Sequence, residues 1–182
     1  MASSKERILD SFENILIRDG ERAATMEAVA ASADVSKGGL LYHFPSKEAL
    51  VDALGERLLA LSARDRELMA ADPDGAARYY VRTSVYEDSA LDRALVAMAR
   101  LAQQGHPKAQ QNFAQIQSLW LKALELALGS HPVARAVKLM GDGLYYDAAF
   151  FAGSGADQRS ADEMEQLLEL VDLLQAPQRR GA

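Results

Sequence analysis

The stretch of sequence that decides the fold is residues 25–47, which read TMEAVAASADVSKGGLLYHFPSK. Thr25 and Ser36 are each suited to cap a short helix, because a hydroxyl oxygen accepts a free backbone N–H of the first helical turn. Pro45 ends the second of these helices, since proline cannot continue a helical hydrogen-bond ladder. The pattern predicts two short helices joined by a tight turn at residues 33–35, which is the helix-turn-helix arrangement. A helical corner that serves only for packing is the alternative.

The second short helix carries two adjacent glycines, Gly38 and Gly39. Each glycine costs about 1 kcal/mol relative to alanine inside a helix, but it lets the backbone lie close against another surface. Hydrogen-bond donors and an aromatic ring surround the pair, supplied by Lys37, Tyr42, His43 and Lys47. The major groove of B-DNA, about 12 Å wide, admits such a helix. The composition therefore favours a surface that contacts DNA over a purely structural corner.

Helical patterns continue on both sides of this stretch. Ser3 and Glu6 match a capping box ahead of an amphipathic helix that stops at Gly20. Ser46 caps a fourth helix, and further helices are predicted over about 75–88, 90–104, 107–128, 132–151 and 160–174. No stretch alternates with period two, as a half-buried strand would. We therefore expect an all-α fold of about nine helices.

The composition excludes several classes of protein. The 182 residues contain no cysteine, which excludes a disulfide framework and a thiolate metal site. No apolar run approaches the roughly 18–20 residues of a membrane span, and no signal peptide opens the chain, so we expect a soluble cytoplasmic protein without a membrane partner. The net charge is −6, and residues 1–47 carry 6 Lys and Arg against 7 Asp and Glu. This balance argues against indiscriminate coating of nucleic acid, which depends on phosphate neutralisation.

Three segments closely resemble the DNA-binding domain of TetR-family transcriptional regulators: TMEAVA at 25–30, VSKG at 35–38 and LLYHFPSKEAL at 40–50. With the preceding helix, the resemblance covers about 50 of the 182 residues. It implies an N-terminal three-helix helix-turn-helix domain over residues 1–47 and a helical ligand-binding and dimerisation domain over residues 48–182. The second domain is similar to the family only in the number and order of its helices.

The resemblance also implies a role for each matching position of the helix-turn-helix. Thr25 would cap its helix and touch a phosphate, and Lys47 would hold a phosphate from the next helix. The leading edge of the recognition helix would be formed by Ser36, Lys37 and Gly38, with Tyr42 and His43 at the base edges or the adjacent backbone. Phe44 is interpreted as core. Two positions of the recognition helix depart from the family pattern and leave fewer direct base contacts: Gly39, which we keep in the predicted DNA surface, and Leu41.

The rest of the chain contains no motif of an active site. We find no metal-ligand spacing of histidines, no phosphate-binding glycine loop and no nucleophile elbow, so no enzyme activity, metal or cofactor is expected. Aromatic residues and methionines are frequent there, and at helical spacing such residues are more often core than pocket. The resemblance implies a cavity for a small-molecule effector, which we expect to be apolar or aromatic. The residues predicted to line it are Tyr86, Met98, Trp120 and Tyr146.

The last helix carries leucine or valine at six of the eight positions from Leu167 to Leu174. Such a run spans more than one helix face, so a helix that buries one side leaves leucine in water. The preceding helix is similarly apolar, with small residues at Gly141 and Gly143 that allow close approach. The resemblance implies a four-helix dimer interface. Its predicted residues are Leu144, Tyr145, Ala148, Leu167, Leu170, Val171 and Leu174. A helix buried deep in a monomer is the alternative.

Taken together, the resemblance implies a ligand-responsive repressor that binds a palindromic operator in double-stranded DNA as a homodimer and is released by a small-molecule effector. Two alternatives stay open. One is a helical ligand-sensing or partner-binding protein whose degenerate helix-turn-helix binds no operator, and the other is a helical enzyme.

Overall fold

The computed structural model describes residues 3–151 and 160–175. Within these ranges every regular element is helical, which confirms the predicted all-α fold of about nine helices. In chain order the helices are α1 (Ser4–Asp19), α2 (Met26–Ser32), α3 (Lys37–His43), α4 (Lys47–Ala71), α5 (Ala76–Arg82), α6 (Ala90–Gln103), α7 (Pro107–Leu128), α8 (His131–Phe151) and α9 (Ala161–Gln175).

The described helices form two compact units. The first contains the described residues up to Ala63 together with Asp88–Ile116, and the second contains Arg64–Glu87 together with the described residues from Gln117 onward. In the first unit α1 packs against α2, α3 and α6, and in the second α5 packs against α8 and α9. This division by compactness places α6 with the N-terminal helices. The predicted functional boundary between residues 47 and 48 is a different kind of division and stays a prediction.

The first helix forms as its sequence indicates. The Ser3 side chain accepts a hydrogen bond from the Glu6 backbone N–H, and the Glu6 side chain accepts one from the Ser3 N–H. The apolar stripe is fully buried at Ile8, Phe12 and Leu16. Gly20 ends the helix with a φ of 81°, a backbone conformation that costs glycine little. The predicted capping box and core face of α1 are therefore confirmed.

The fifth helix is shorter than its sequence suggests, because it ends at Arg82 rather than near residue 88. The hydroxyl of Thr83 donates to the Tyr79 carbonyl, and the hydroxyl of Ser84 donates to the Tyr80 carbonyl. These bonds occupy the carbonyls of the last turn, and hydroxyl side chains that bond to nearby backbone favour helix ends. Residues 83–89 are consequently non-helical.

Two helix glycines mark places where a neighbouring side chain lies directly against the backbone. A Cβ on Gly55 of α4 would lie 2.0 Å from Nδ2 of Asn112, and a Cβ on Gly141 of α8 would lie 2.6 Å from Cε1 of Tyr80. A Cβ on Gly143 would meet no atom within 4 Å. Gly141 therefore packs against α5 inside the protomer, rather than serving the predicted approach of a second subunit.

Replacing each α8 glycine by alanine should separate these two environments. Gly141→Ala should lower the free energy of unfolding by about 1–3 kcal/mol, because the added methyl must displace the Tyr80 ring. Gly143→Ala should raise it by up to about 1 kcal/mol through helix propensity alone. Urea denaturation at one protein concentration measures both differences, and shifts of the same sign and size would contradict the contact between Gly141 and Tyr80.

A buried carboxyl joins α1 to α4 in the first unit. Glu13 is almost fully buried, and Nη1 of Arg57 donates to its Oε2 at 2.9 Å and to Oδ1 of Asp10 at 2.7 Å. Oε1 of Glu13 has no hydrogen-bond partner among the described residues. Burial raises the pKa of Glu13 to about 7, against the opposing attraction of Arg57 and, more weakly, of Arg93 on α6.

This raised pKa makes the stability of the fold depend on pH. The folded chain binds a proton at Glu13 more tightly than the unfolded chain does, so folding is favoured at low pH. As pH rises from about 5 to about 8, the Glu13 contribution should fall by an amount on the order of 1–3 kcal/mol. Urea denaturation across this pH range should show a flatter profile for Glu13→Gln than for the parent chain. Glu56→Gln, at an exposed position of α4, is the matched control and should keep the parent profile; a parent-like slope in Glu13→Gln would contradict the assignment.

Candidate nucleic-acid interface

The helix-turn-helix is built by side-chain caps at both short helices. Oγ1 of Thr25 accepts a hydrogen bond from the Ala28 N–H at 3.1 Å, and Oγ of Ser36 accepts one from the Gly39 N–H at 3.1 Å. Between α2 and α3 the chain turns through Asp34, whose φ of 52° lies in the left-handed region. The predicted two-helix arrangement, with its turn at residues 33–35 and its caps, is therefore present.

The inner side of this motif is apolar and buried. Val29 and Leu40 are fully buried, and Phe44 and Ala33 are nearly so. Both α2 and α3 pack against α1 in the same unit. The ammonium group of Lys5 lies 5.9 Å from the centroid of the Phe44 ring, within the range of a cation–π contact. The interpretation of Phe44 as core is confirmed.

The opposite side of α3 faces solvent. Tyr42 is 85% exposed and Leu41 is 40% exposed, and Lys37 and Gly38 are exposed as well. The rings of Tyr42 and His43 meet edge to face, with centroids 5.1 Å apart. The structure thus places Lys37, Gly38 and Tyr42 at the accessible side of α3, whereas the predicted residues Gly39 and His43 are half-buried.

The two glycines of α3 have different surroundings. A Cβ on Gly38 would meet only Oγ of Ser36, at an ordinary 3.9 Å, so the backbone there is open to an approaching surface. A Cβ on Gly39 would lie 3.3 Å from the same oxygen, the atom that caps the helix. Gly39 therefore has a local reason to be small, whereas Gly38 has none within the described chain.

Both lysines of the predicted DNA surface, Lys37 and Lys47, are bonded to glutamates. Nζ of Lys37 lies 2.7 Å from Oε1 of Glu27 on α2. Nζ of Lys47 donates to the Glu21 carbonyl at 3.0 Å and lies 3.4 Å from Oε1 of Glu21. The hydrogen bond with Glu27 raises the pKa of Lys37, and the same bond lowers the pKa of Glu27. Sequence reasoning missed both glutamates, although their charges next to a near-neutral motif were a usable signal.

The residues predicted to line a ligand cavity lie in different surroundings. Met98 is fully buried in the first unit, and Trp120 is nearly buried in the second. Tyr86 is half-buried in the segment after α5. Tyr146 is largely exposed, and its ring packs against Phe150 and Phe151 of its own helix, with centroids 5.2 and 5.4 Å away. Tyr146 is thus the most exposed of the four residues, and its role in lining a cavity stays a prediction.

Trp120 belongs to a polar and aromatic cluster that sequence reasoning missed. Its Nε1 donates to Oδ2 of Asp65 at 2.8 Å, and the Tyr79 hydroxyl donates to Oδ1 of the same carboxylate at 2.9 Å. The Trp120 ring also meets the Tyr80 ring edge to face, with centroids 6.4 Å apart. Such partners satisfy the polar atoms of large aromatic side chains in a core.

The Tyr80 hydroxyl begins a second chain of bonds in the same unit. It donates to Oδ1 of Asp142 at 2.6 Å, and Nζ of Lys138 donates to Oδ2 of Asp142 at 2.5 Å and to Oε1 of Gln117. Lys138 is 4% exposed, so its charge is compensated inside the protein. Burial, together with the Asp142 charge, raises the pKa of Tyr80 well above its ordinary range.

The predicted dimer residues divide between the interior and the surface of the protomer. Val171 is fully buried in the protomer, which corrects its assignment, because a side chain with no exposed area cannot contact a second copy. Ala148 is nearly buried, and its place in an interface stays a prediction. The half-buried members are Leu144, Tyr145, Leu167 and Leu174. Leu170 is 49% exposed, and sequence reasoning missed Leu173, which is 70% exposed.

An arginine of α5 forms ion pairs with the last helix, α9. Arg78 bonds to Oε1 of Glu165 at 3.0 Å and to Oδ2 of Asp172 at 2.7 Å. Leu168 and Val171 are buried on α9. The opposite face of α9 is the one that carries Leu170 and Leu173.

Neither a metal-binding cluster nor a membrane-spanning helix is found in the described ranges. They contain no group of three or more His, Cys, Asp or Glu side chains that could hold a metal ion. None of the helices in these ranges combines the length and the hydropathy that a membrane crossing requires.

Comparison with curated proteins finds similarity over part of the chain. The chain is 43% identical over 68 residues to the HTH-type transcriptional repressor KstR of Mycobacterium tuberculosis, a match that covers 36% of this chain and 31% of KstR. It is 39% identical over 51 residues to the HTH-type transcriptional regulator UidR of Escherichia coli K12, which covers 28% of this chain and 26% of UidR. These matches thus span about a third or less of the relatives' length.

Solved structures match along nearly the whole chain. GusR of Salmonella enterica has a TM-score of 0.68 at 20% identity and matches over 94% of each chain. A TetR-like transcriptional regulator from Rhodococcus sp. RHA1 has a TM-score of 0.63 at 19% identity, over 95% of each chain. The multidrug binding protein EbrR complexed with malachite green has a TM-score of 0.68 at 19% identity, over 93% of this chain and 96% of EbrR. At these identities the likeness shows the fold.

Two domain families account for most of the chain. Residues 8–54 match the bacterial regulatory proteins of the tetR family, and residues 74–172 match the tetracyclin repressor-like C-terminal domain. The second match alone covers more than half of the 182 residues. The exposed recognition helix on a buried helix-turn-helix core agrees with the first match. With both matches, the chain belongs to the tetR family of transcriptional regulators.

Proposed function

We propose that this regulator binds a palindromic operator as a homodimer, represses transcription there and is released by a small-molecule effector. The observation that carries the proposal is the exposed face of α3, where Tyr42 and Leu41 face solvent above buried Leu40. A large aromatic side chain left 85% exposed on a short, capped helix contributes little to the core. It is available to a base edge. Repression is supported by KstR, which is named as a repressor.

The chemistry of this face suits direct readout of bases. The Tyr42 hydroxyl can donate to or accept from a base edge, and Leu41 offers apolar contact to a thymine methyl. Gly38 lets the backbone of α3 approach closely. His43 adjoins Tyr42, and the hydroxyls of Thr25 and Ser36 are exposed at the starts of their helices. Contacts to phosphate would come from Lys37 and Lys47 once they leave their glutamate partners.

The operator is found by selecting bound duplexes from random DNA with the purified protein, and Tyr42 is then tested on the selected site. Tyr42→Ala should weaken binding to that site about 10-fold to 100-fold, since a base contact is worth about 1–3 kcal/mol. Its affinity for random duplex should change little. Leu126→Ala, also at a highly exposed position, serves as the control for removal of apolar surface.

Two results would count against base readout by α3. Equal losses on the selected and the random duplex would assign Tyr42 to general binding. Failure of the parent protein to enrich any sequence would favour the alternative, a ligand-sensing or partner-binding protein that does not bind an operator.

Dimerisation is proposed through the exposed apolar faces of α8 and α9. Tyr146 and Phe151 on α8 and Leu170 and Leu173 on α9 are each at least 48% exposed. Exposed apolar side chains of this size, when they form a contiguous patch, mark a protein interface. Two such helices from each protomer would make a four-helix interface with two-fold symmetry. That symmetry would set two copies of α3 at half-sites about 34 Å apart or more.

A charge in this surface should separate the protomers. Leu173→Glu should give a monomer in sedimentation velocity and should lose binding to the selected palindrome, because one head alone contacts one half-site. Leu126→Glu adds the same charge at an exposed leucine of α7 and should leave both properties unchanged. A Leu173→Glu protein that still sediments as a dimer would place the interface elsewhere.

The effector is proposed to bind in the second unit, near the cluster of Trp120, Tyr79 and Tyr80. EbrR, which shares the fold, has been solved with malachite green, an aromatic compound. Release would follow if the effector binds more tightly to a conformation that does not fit the operator. Such a coupling is typically about 1–3 kcal/mol between two ligands. Because the operator is DNA, the proposal also keeps the predicted cytoplasmic location.

A further inference from the structure

The ion pair between Lys37 and Glu27 lies on the surface that is proposed to meet DNA. Lys37 is the one Lys or Arg in residues 25–46, whereas the same stretch contains two acidic residues, Glu27 and Asp34. Nζ of Lys37 lies 2.7 Å from Oε1 of Glu27, a separation typical of a charge-assisted hydrogen bond. The α2–α3 motif therefore presents no uncompensated cation in the free protein.

This pair differs from the other lysine–glutamate pair of the unit. Lys47 bonds to the Glu21 backbone carbonyl as well as to its carboxylate, and the two side chains are 31% and 29% exposed. Such a contact ties the start of α4 to the loop after α1. The side chains of Lys37 and Glu27 are 63% and 67% exposed and joined by one contact. A solvent-exposed pair of this kind contributes little to stability and is easily exchanged for another partner.

A phosphate group would have to share the Lys37 ammonium with Glu27, whose Oε1 now accepts one of its N–H donors. Binding of DNA without sequence preference depends on phosphate neutralisation by such cations. With Lys37 engaged by Glu27, a random duplex must either break the pair or accept the negative charge of the carboxylate nearby. Both alternatives weaken its binding.

We propose that Glu27 is a positioning residue that competes with DNA phosphate for Lys37 and thereby limits the affinity for non-operator DNA. The proposal rests on the proposed function, since it takes α3 as the surface that meets DNA. Glu27 is not among the predicted contact residues. Its carboxylate on α2 would determine how much of the binding free energy comes from electrostatic contact with phosphate. Recognition then depends on the exposed side chains of α3 more than on net charge.

The test compares fluorescence anisotropy titrations of a random-sequence duplex at salt concentrations from about 50 to 200 mM. Glu27→Gln should raise the affinity roughly threefold to tenfold and steepen the slope of log affinity against log salt by about one, since one lysine becomes free for phosphate. Glu56→Gln removes the same charge from an exposed position of α4 outside this pair and should change neither quantity appreciably. Thermal melting of Glu27→Gln should match that of the parent, because the pair is exposed.

A double-mutant cycle with Lys37→Gln separates competition for the lysine from simple removal of a negative charge. The gain from Glu27→Gln should disappear when Lys37 is already replaced. A gain of equal size on both backgrounds, or equal effects of Glu27→Gln and Glu56→Gln, would overturn the proposal. A weaker binding of random duplex by Glu27→Gln would also overturn it, since Glu27 would then assist Lys37.

The failure of this proposal can be told from failure of the proposed function. If the parent enriches an operator but Glu27→Gln behaves as Glu56→Gln does, operator binding stands and the role of Glu27 is rejected. If the parent enriches no sequence but Glu27→Gln gains Lys37-dependent, salt-sensitive binding to random duplex, the role of Glu27 stands and the operator is rejected.

Discussion

The burial of Leu40 and Phe44 is the constraint on which the exposed surface of α3 depends. A helix of seven residues is unstable in isolation, because nucleation costs more than so few hydrogen bonds return. Here the two side chains anchor its inner side in the core of the first unit, and Ser36 satisfies a free N–H at its start. The outward direction of Tyr42 follows from this anchoring, because its side chain lies on the other side of the same short helix.

Three cations of the first unit, two of them in the predicted DNA surface, are compensated by neighbouring carboxylates. Lys37 and Lys47 each have a glutamate partner, and Arg57 is shared by Glu13 and Asp10. The consequence for a DNA-binding surface is a weak long-range field. Steering by charge, which speeds association of strongly basic proteins, is correspondingly limited. Contact geometry then carries more of the discrimination between duplexes.

Local signals predicted the fold well, and contacts distant in sequence were where prediction failed. The caps at Ser3, Thr25 and Ser36 each join residues three positions apart, so a local sequence pattern predicts them. All three are present. The pairing of Lys37 with Glu27, ten residues away, depends on how α2 and α3 cross. The hydrophobic periodicity of each helix does not predict the angle at which α2 and α3 cross, so Glu27 was not predicted as the partner of Lys37.

The same limit applies to the α9 interface and to the ligand residues. When leucine and valine occupy both sides of a helix, periodicity cannot say which side faces the protomer, and Val171 was assigned to the wrong one. The sequence around an aromatic residue such as Tyr146 likewise does not indicate whether the side chain is buried or exposed.

The buried Lys138 has a consequence for the evolution of this chain. Its ammonium is compensated by Asp142 alone among the described carboxylates, and an unpaired buried charge costs about 3–5 kcal/mol. A substitution of Lys138 or Asp142 alone leaves the other group without its partner, so we expect the two positions to change together in evolution.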